Sequence, residues 1–465
     1  MPTVVRSERA GLGLVALTLL VVLCAAYLSD LGHGFVKDDF AWIAANRFHD
    51  LWGLARIFST DNGFYRPVVG VTFGLNHLLC DLEPLCFGWT NFALLFGCAF
   101  AMVVLVRSMG LGVEAGLITA YFWLLNPHGI NMAVLWISGR TALLLVLFAA
   151  LAAAASMRGR RVLAGLFCLL ALLSKEEAAA LPLILCFWSV VPSGADERWN
   201  WRRGARTAAA PALALVVYAL LRSQTGAMLP WTAPSFYRPS AAPGILARNL
   251  LEYLDRAFTF TTAAVLVACL VTWKVPRIGP VERRELWRGL AWAAGGFALT
   301  VFLPVRSSLY VCFPSVGVAI AGAAVLRALI QQASARNLCR LVAAAVIVPL
   351  VLLPVYRSRN QRWVRPAELS RQVVEDLRGV EADLRQGRML VLFDAPGARV
   401  TLAGSFGTLV QDAVRLTTGI DHARVWVEPP PPDWELAGLT RPEGPVVRYW
   451  LRDGRLVRQP QAPSF

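Results

Sequence analysis

Apolar runs separated by short polar turns recur from residue 10 to residue 355, and then stop. Several runs approach the roughly 20 residues that an α-helix needs to cross a membrane. From residue 356 onward, apolar and polar residues are mixed in short segments. The pattern predicts a cytoplasmic N-terminal tail (1–9), a transmembrane body (10–355) and a separate C-terminal tail (356–465).

The positions of basic residues predict how the body crosses the membrane. With the N-terminus in the cytoplasm and the basic loops kept inside, about eleven crossings result and the C-terminal tail lies outside. The first outer loop covers residues 29–84, in which the apolar segment 67–80 is short and predicts an interfacial helix. Residues 162–192 are either one helix or a hairpin of two short helices. The hairpin is favoured because a single helix buries the charges of residues 174–177 at about 2.5–3.5 kcal/mol each.

The C-terminal tail has the periodicities of a small α/β module. Residues 367–387 repeat at helical spacing, 389–396 read as a buried strand entering a turn, and 404–417 read as a second helix. A hairpin is predicted around Asp453-Gly454. The predicted fold class is therefore an all-α polytopic membrane protein with a small extracytoplasmic α/β module.

Composition supports the membrane assignment. The chain is 57% hydrophobic and 16% charged, with a mean hydropathy of +0.54. Its net charge of +15 is also typical of nucleic-acid binders, but the basic residues lie in loops between apolar runs, so no nucleic-acid partner is predicted. The abundance of Ala and Arg indicates a bacterial chain, which places it in the inner membrane. Residues 1–28 resemble a signal peptide with a weak cleavage box, and we interpret them as an uncleaved first helix.

Two of the nine cysteines are placed for a disulfide. Cys80 and Cys86 flank a short acidic turn in the first outer loop. They would form a bond if that loop faces an oxidising compartment, and the sequence leaves this open. The spacing of the cysteines does not match a metal site.

Paired carboxylates follow the first helix, at Asp38 and Asp39. Such a pair at a membrane surface either binds a divalent cation or supplies a general base toward an acceptor hydroxyl. Two solvated loop acids are the plainer interpretation, and the spacing alone favours it. No other cofactor is predicted.

Basic residues gather at the predicted outer ends of helices. They could contact lipid headgroups only, or they could hold a phosphate, for which the guanidinium fork of Arg is well suited. These basic candidates are Lys37, Arg66, Arg140, Lys175 and Arg306. The acceptor-binding or supporting candidates are Tyr65, Asn76, His77, His128, Glu176 and Tyr310.

Six stretches, in this order, resemble the GT-C class of integral-membrane glycosyltransferases, in particular the transmembrane O-mannosyltransferases that carry tetratricopeptide repeats and their bacterial relatives. They cover the membrane body and not the tail, where no such repeat period is found. The stretches are FVKDDFAWI (35–43), FYRPVVGVTFGLNH (64–77), WTNFALLFG (89–97), AVLWISGRTALL (133–144), LLSKEEAAALPL (172–183) and RSSLYVCFPSVGVAI (306–320).

The resemblance implies a sugar transferase with a polyprenyl-phosphate-linked donor and an extracytoplasmic protein, lipid or glycan acceptor. It implies that Asp38 or Asp39 is the base and that outer-face Arg and Lys residues hold the lipid phosphate. One departure is Met132, where relatives often have an acidic residue. The resemblance leaves the acceptor and any metal requirement open.

Two other classes of function remain as alternatives. A transporter or flippase of lipid-linked intermediates would need ionisable residues near the membrane midplane, and the sequence has few there. A non-catalytic membrane scaffold that presents the tail would tolerate the loss of both Asp38 and Asp39.

Overall fold

The computed structural model describes residues 2–60, 63–192, 199–229, 231–395, 397–430, 444–452 and 454–459. Most of the described residues are helical. The helices are α1 (Pro2–Tyr27), α2 (Asp38–Asn46), α3 (Leu51–Arg56), α4 (Pro67–Cys80), α5 (Pro84–Ser108), α6 (Gly112–Leu124), α7 (Ile130–Leu135), α8 (Arg140–Met157), α9 (Arg161–Leu172), α10 (Leu181–Val190), α11 (Trp201–Ser223), α12 (Pro243–Thr272), α13 (Pro280–Phe297), α14 (Pro314–Gln331), α15 (Ala335–Leu377), α16 (Glu381–Arg385), α17 (Leu402–Phe406) and α18 (Val410–Thr418).

The tail carries one four-stranded sheet, in the order β2-β1-β3-β4. Its strands are β1 (Met389–Phe393), β2 (Val425–Glu428), β3 (Val446–Arg452) and β4 (Arg455–Arg458). The central strand β1 pairs in parallel with β2 and β3, and β4 is antiparallel to β3. The predicted class, a helical membrane protein with a small C-terminal α/β module, is confirmed.

Seven helical segments of the described chain are long and apolar enough to cross a membrane, and the protein is an integral membrane protein. The predicted total of about eleven crossings and the predicted orientation are not tested by these lengths. Helices α4 and α9 are apolar but shorter. The seven segments are Ala10–Asp30, Pro84–Ser108, Ile137–Met157, Trp201–Ser223, Pro243–Thr272, Pro314–Gln331 and Ala335–Arg385.

Helix α15 differs from the sequence prediction. The sequence predicts a membrane helix ending at 355 and a separate helix over 367–387, but one helix runs from Ala335 to Leu377. Its buried residues after the apolar run, Tyr356, Asn360, Val364 and Ala367, recur at helical spacing. This buried stripe stabilises the helix across the polar segment, so the predicted boundary at 355/356 falls inside a helix.

One other predicted segment changes. The predicted tail helix 404–417 is two short helices, α17 and α18. The helical hairpin predicted for residues 162–192 is confirmed, because α9 and α10 are separate helices joined by residues 173–180. The predicted strand at 389 and the β3–β4 pair are also confirmed, although Asp453 lies outside the described residues.

The tail and the first outer loop share one hydrophobic core. Phe40 of α2 stacks on Phe406 of α17 with ring centroids 5.5 Å apart, and the Lys37 N–H donates to the Ser405 carbonyl at 2.9 Å. Gly34 has φ +131°, and a Cβ there would lie 2.6 Å from the Ala367 carbonyl of α15. The tail is therefore packed onto the segment that carries the two carboxylates.

The stacking of Phe406 predicts that the tail stabilises the outer loop. Phe406 is fully buried, so Phe406→Ala should lower the free energy of unfolding by about 3–5 kcal/mol, as cavity-forming substitutions do. Thermal unfolding of the detergent-solubilised protein measures the change. Phe100→Ala is the matched control, since that ring is 69% exposed, and equal effects of the two substitutions would contradict the shared core.

Candidate active site around Asp38

The two adjacent carboxylates lie at the start of α2 and have different environments. Lys37, which precedes them, has φ +49°, a conformation that is uncommon and strained for a residue with a side chain. Asp38 is exposed, whereas Asp39 is buried. Only Asp38 is therefore available to a substrate.

Asp39 is held entirely by protein donors. One of its oxygens accepts hydrogen bonds from the Ser138 N–H at 2.7 Å and from the Ser138 hydroxyl, and the other accepts from the Val36 N–H at 2.9 Å. Burial raises the pKa of Asp39 to about 7, and the donors on Ser138 and Val36 oppose this rise. Asp39 connects the first outer loop to the turn that precedes α8.

Asp38 faces a cluster of charged groups. Neighbouring protein groups shield one side of its carboxyl from water and raise its pKa, while the positive charges of Lys37 and Arg66 oppose the rise. The pKa of Tyr237 is raised by burial and by the negative charge of Asp38. An exposed carboxyl with a raised pKa is suited to accept a proton.

Arg66 is fixed by an ion pair with Glu176. Its Nε and Nη2 both donate to Glu176 Oε2, at 3.1 and 2.7 Å, and its guanidinium carbon lies 4.2 Å from the Phe64 ring centroid. Arg222 Nη1 lies 3.6 Å from the other oxygen of Glu176. Although burial would raise the pKa of Glu176, the positive charge of Arg66 and its hydrogen bond to Glu176, together with the charge of Arg222, hold it below its usual range.

A second, buried ion pair lies in the same hairpin. Lys175 Nζ is 3.1 Å from Glu177 Oε2 and 5.0 Å from the Tyr310 ring centroid. Because Lys175 and Glu176 are neighbours in the turn between α9 and α10, the two ion pairs lie side by side. The cluster thus joins the start of α4, this turn and the segment before α14.

Arg222 and Tyr237 belong to this cluster and are missing from the sequence prediction. Arg222 lies at the end of an apolar run, as the predicted basic residues do, so the same rule could have found it. Tyr237 lies in a Pro-containing connection and its ring packs edge-on against Phe64, with centroids 5.3 Å apart. Nothing in its sequence neighbourhood indicates this contact.

The structure does not bring Arg140 into the cluster. Arg140 is fully buried, and its guanidinium donates to Asn91 Oδ1 at 3.0 Å, Asn76 Oδ1 at 2.7 Å and the Phe87 carbonyl at 3.1 Å. The Phe73 ring covers one face, 4.4 Å from its centroid to the guanidinium carbon. These contacts hold α4, α5 and α8 together and leave Arg140 no open face toward a phosphate.

Asn76, His77 and Tyr65 also make contacts within the protein. The Asn76 amide donates to Thr90 at 2.8 Å, and the Tyr65 hydroxyl donates to the Phe58 carbonyl at 3.0 Å. His77 Nδ1 lies 3.2 Å from the Asp81 carbonyl oxygen at the far end of α4, about 16 Å along the helix from Arg66. Beside it, Cys80 and Cys86 form a disulfide.

His128 and Arg306 pair with neighbours of their own. His128 Nδ1 lies 3.4 Å from Arg359 Nη2 of α15, and Arg306 pairs with Glu252. Arg306 is exposed. Tyr310, four residues later, is the member of this stretch that reaches Lys175.

A divalent cation between the two aspartates fits this donor set poorly. Both oxygens of Asp39 already accept hydrogen bonds from Val36 and Ser138, so Asp38 alone offers free carboxylate oxygens. Among the residues that the structure describes, no group of three or more His, Cys, Asp or Glu side chains is placed to hold a metal ion. The chemistry proposed for this site therefore assigns no step to a metal.

Arg140 and Arg306 have the same predicted role from the sequence, but their substitution should lower the free energy of unfolding by different amounts. Arg140→Met leaves the buried side-chain oxygens of Asn76 and Asn91 without donors and should cost about 3 kcal/mol or more. Arg306→Met removes an exposed ion pair and should change the free energy of unfolding by less than about 1 kcal/mol. Thermal unfolding of both variants measures the difference. An Arg140→Met variant as stable as the native protein would contradict the buried hydrogen-bond network of Arg140.

Comparison with known proteins gives short sequence matches and a longer structural one. No family model matches the chain. Human Protein O-mannosyl-transferase TMTC3 is 29% identical over 153 residues, and the mouse protein of the same name is 28% identical over 155 residues. Each match covers 30% of this chain and only 16% of the relative's length.

The crystal structure of ArnT from Cupriavidus metallidurans, bound to undecaprenyl phosphate, matches with a TM-score of 0.50 and 13% sequence identity. The match covers 95% of this chain and 93% of that one. It therefore includes the tail as well as the membrane body. The resemblance predicted from the six sequence stretches is confirmed, and the chain has the fold of the GT-C class of integral-membrane glycosyltransferases.

Proposed function

We propose that this chain is a glycosyltransferase that moves a sugar from a polyprenyl-phosphate-linked donor to a hydroxyl of an extracytoplasmic acceptor. The observation that carries the proposal is the exposed Asp38 carboxyl beside a cluster of cations. The relatives support the chemistry, since TMTC3 is named an O-mannosyl-transferase and the ArnT structure holds undecaprenyl phosphate. The acceptor class, whether protein, lipid or glycan, is not specified by these groups.

In this proposal Asp38, and not Asp39, is the general base. Asp39 has both oxygens committed to Ser138 and Val36, whereas Asp38 is exposed. Asp38 takes the proton of the acceptor hydroxyl while the acceptor oxygen bonds to the anomeric carbon. The bond from that carbon to the phosphate oxygen breaks, and the polyprenyl phosphate leaves with the electron pair. A single displacement of this kind inverts the anomeric centre.

The cations around Asp38 would stabilise the departing phosphate. Arg66 uses only part of its five-donor fork on Glu176, and Lys175 Nζ has no hydrogen-bond acceptor among the described residues besides its ion pair with Glu177. Arg222 adds a third charge to the set. Of the predicted phosphate-binding residues we therefore retain Lys37, Arg66 and Lys175, with Tyr310 and Glu176 as their supports.

The proposed location is a bacterial inner membrane, with the N-terminus in the cytoplasm and the Asp38 cluster and tail outside. The Cys80–Cys86 disulfide lies in the same loop as Asp38. Disulfides persist in oxidising compartments and are rare in the cytosol. The bond therefore supports an extracytoplasmic position for this loop.

Replacement of Asp38 tests the proposal. Asp38→Asn should lower sugar transfer by about 10²–10⁴-fold, the usual contribution of a general base, with the membrane level of the protein unchanged. The glycan profile of a strain lacking the gene, complemented with each variant, gives the readout, and immunoblotting gives the protein level. The glycan that disappears identifies the acceptor.

Asp81→Asn is the matched control because the Asp81 side chain is 85% exposed and lies in the same loop. It should restore the native profile. Asp39→Asn should instead reduce the amount of folded protein, since an amide cannot accept all three of the hydrogen bonds. If the strain that carries Asp38→Asn shows the native glycan profile, the transferase mechanism is refuted, and the scaffold or transporter function is favoured.

The acid side of the pH–activity profile should follow the pKa of Asp38. The base must be ionised, and the charge of Lys37 lowers its pKa, so removing that charge raises the pKa. Lys37→Met should therefore move the acid-side half-maximum of sugar transfer to higher pH. Lys274→Met, at a lysine in the α12–α13 connection, is the control, and an unchanged profile in Lys37→Met would contradict Asp38 as the base.

A further inference from the structure

An open groove of about 520 Å³ lies between the polar part of α15 and the segment that leads into α17. This volume is within the range of ligand-binding clefts. We call it the arginine groove, because three of its lining residues are arginines. The lining residues are Ser358, Gln361, Arg362, Arg365, Pro366, Arg399, Val400, Thr401 and Gly404.

The arginines of the groove are exposed and lack acidic partners. Among the residues that the structure describes, no ion pair or side-chain hydrogen bond is made by Arg362, Arg365 or Arg399. None of the residues that line the groove is acidic. Unpaired like charges repel one another. A fixed anionic ligand would remove this cost, whereas a neutral ligand would not.

The positive field extends beyond the groove. His128 has its pKa lowered by burial and then by the charges of Arg359, Arg256 and Arg362, and Asp255 opposes them. The charges of three arginines, one of them from the groove, therefore act together at this histidine. The groove is thus the open part of a larger basic region at this end of α15.

The end of the groove nearest the apolar run of α15 lies at the depth of lipid head groups, which reach about 5–7 Å beyond the hydrocarbon core. The apolar run of this helix ends at Val355, and the lining residues on the helix are 358–366. At 1.5 Å per residue they begin and end about 4 and 16 Å beyond the apolar run. Arginine pairs well with phosphate through two parallel hydrogen bonds.

We infer that the arginine groove binds the phosphate-bearing head group of a membrane lipid, at a site separate from the Asp38 cluster. The groove adjoins the segment that holds Asp38, because Gly404 lines it and the next residue, Ser405, accepts the Lys37 N–H.

A charge-removal variant of the full-length protein tests the site. The triple substitution Arg362→Gln, Arg365→Gln and Arg399→Gln should weaken binding of dioctanoyl phosphatidic acid by at least about tenfold, since the loss of even one charged hydrogen bond is worth about a factor of ten. Titration of the probe into detergent-solubilised protein by microscale thermophoresis gives the affinity. The control is Arg158→Gln, Arg160→Gln and Arg161→Gln, three exposed arginines in the α8–α9 turn.

The outcomes distinguish a lipid site from a site for free phosphate. Equal affinity of the two triple variants overturns the site. Displacement of the probe by inorganic phosphate at the same concentration shows a site for free phosphate and overturns the lipid assignment. Asp38→Asn should bind the probe with native affinity, so a failure of the groove and a failure of the proposed transferase give different results.

Discussion

The buried carboxylate of Asp39 determines the arrangement of the candidate active site. A carboxylate removed from water must have its oxygens satisfied, and here the donors come from Val36, three residues before it, and Ser138, 99 residues after it. This fixes the first turn of α2 against the start of α8. Because consecutive residues of a helix point about 100° apart, fixing Asp39 inward turns Asp38 outward. The pair therefore has one structural and one accessible member.

Buried basic residues also need hydrogen-bond or charge partners, and the kind of partner divides them into two groups. Arg140 donates to acceptors from α4 and α5, so it binds helices to one another. Arg66 and Lys175 are held by carboxylates instead, Arg66 by Glu176 and Lys175 by Glu177. The carboxylates offset part of the positive charge of Arg66 and Lys175, so the free-energy cost of holding these cations inside the protein is small. Each cation still has N–H donors for an incoming anion.

Sequence reasoning predicted the fold class, the helical hairpin at 174–177 and most members of the cluster, because apolar periodicity and the end positions of charged residues are local signals. It could not distinguish Asp38 from Asp39, since the donor Ser138 is remote in sequence. It assigned Arg140 and Arg66 the same role because burial does not follow from helix-end position. It divided α15 because the stripe from Tyr356 to Ala367 is apolar only on the side that the fold covers, and it missed Tyr237, whose contact with Phe64 is purely tertiary.

The continuous α15 connects the membrane body to the tail. Its 43 residues extend over about 65 Å, from the apolar run to the core that contains Phe406. Three prolines lie inside this length, at Pro349, Pro354 and Pro366, and each removes a backbone hydrogen bond of the helix. A bend at any of them would move the tail relative to the membrane body.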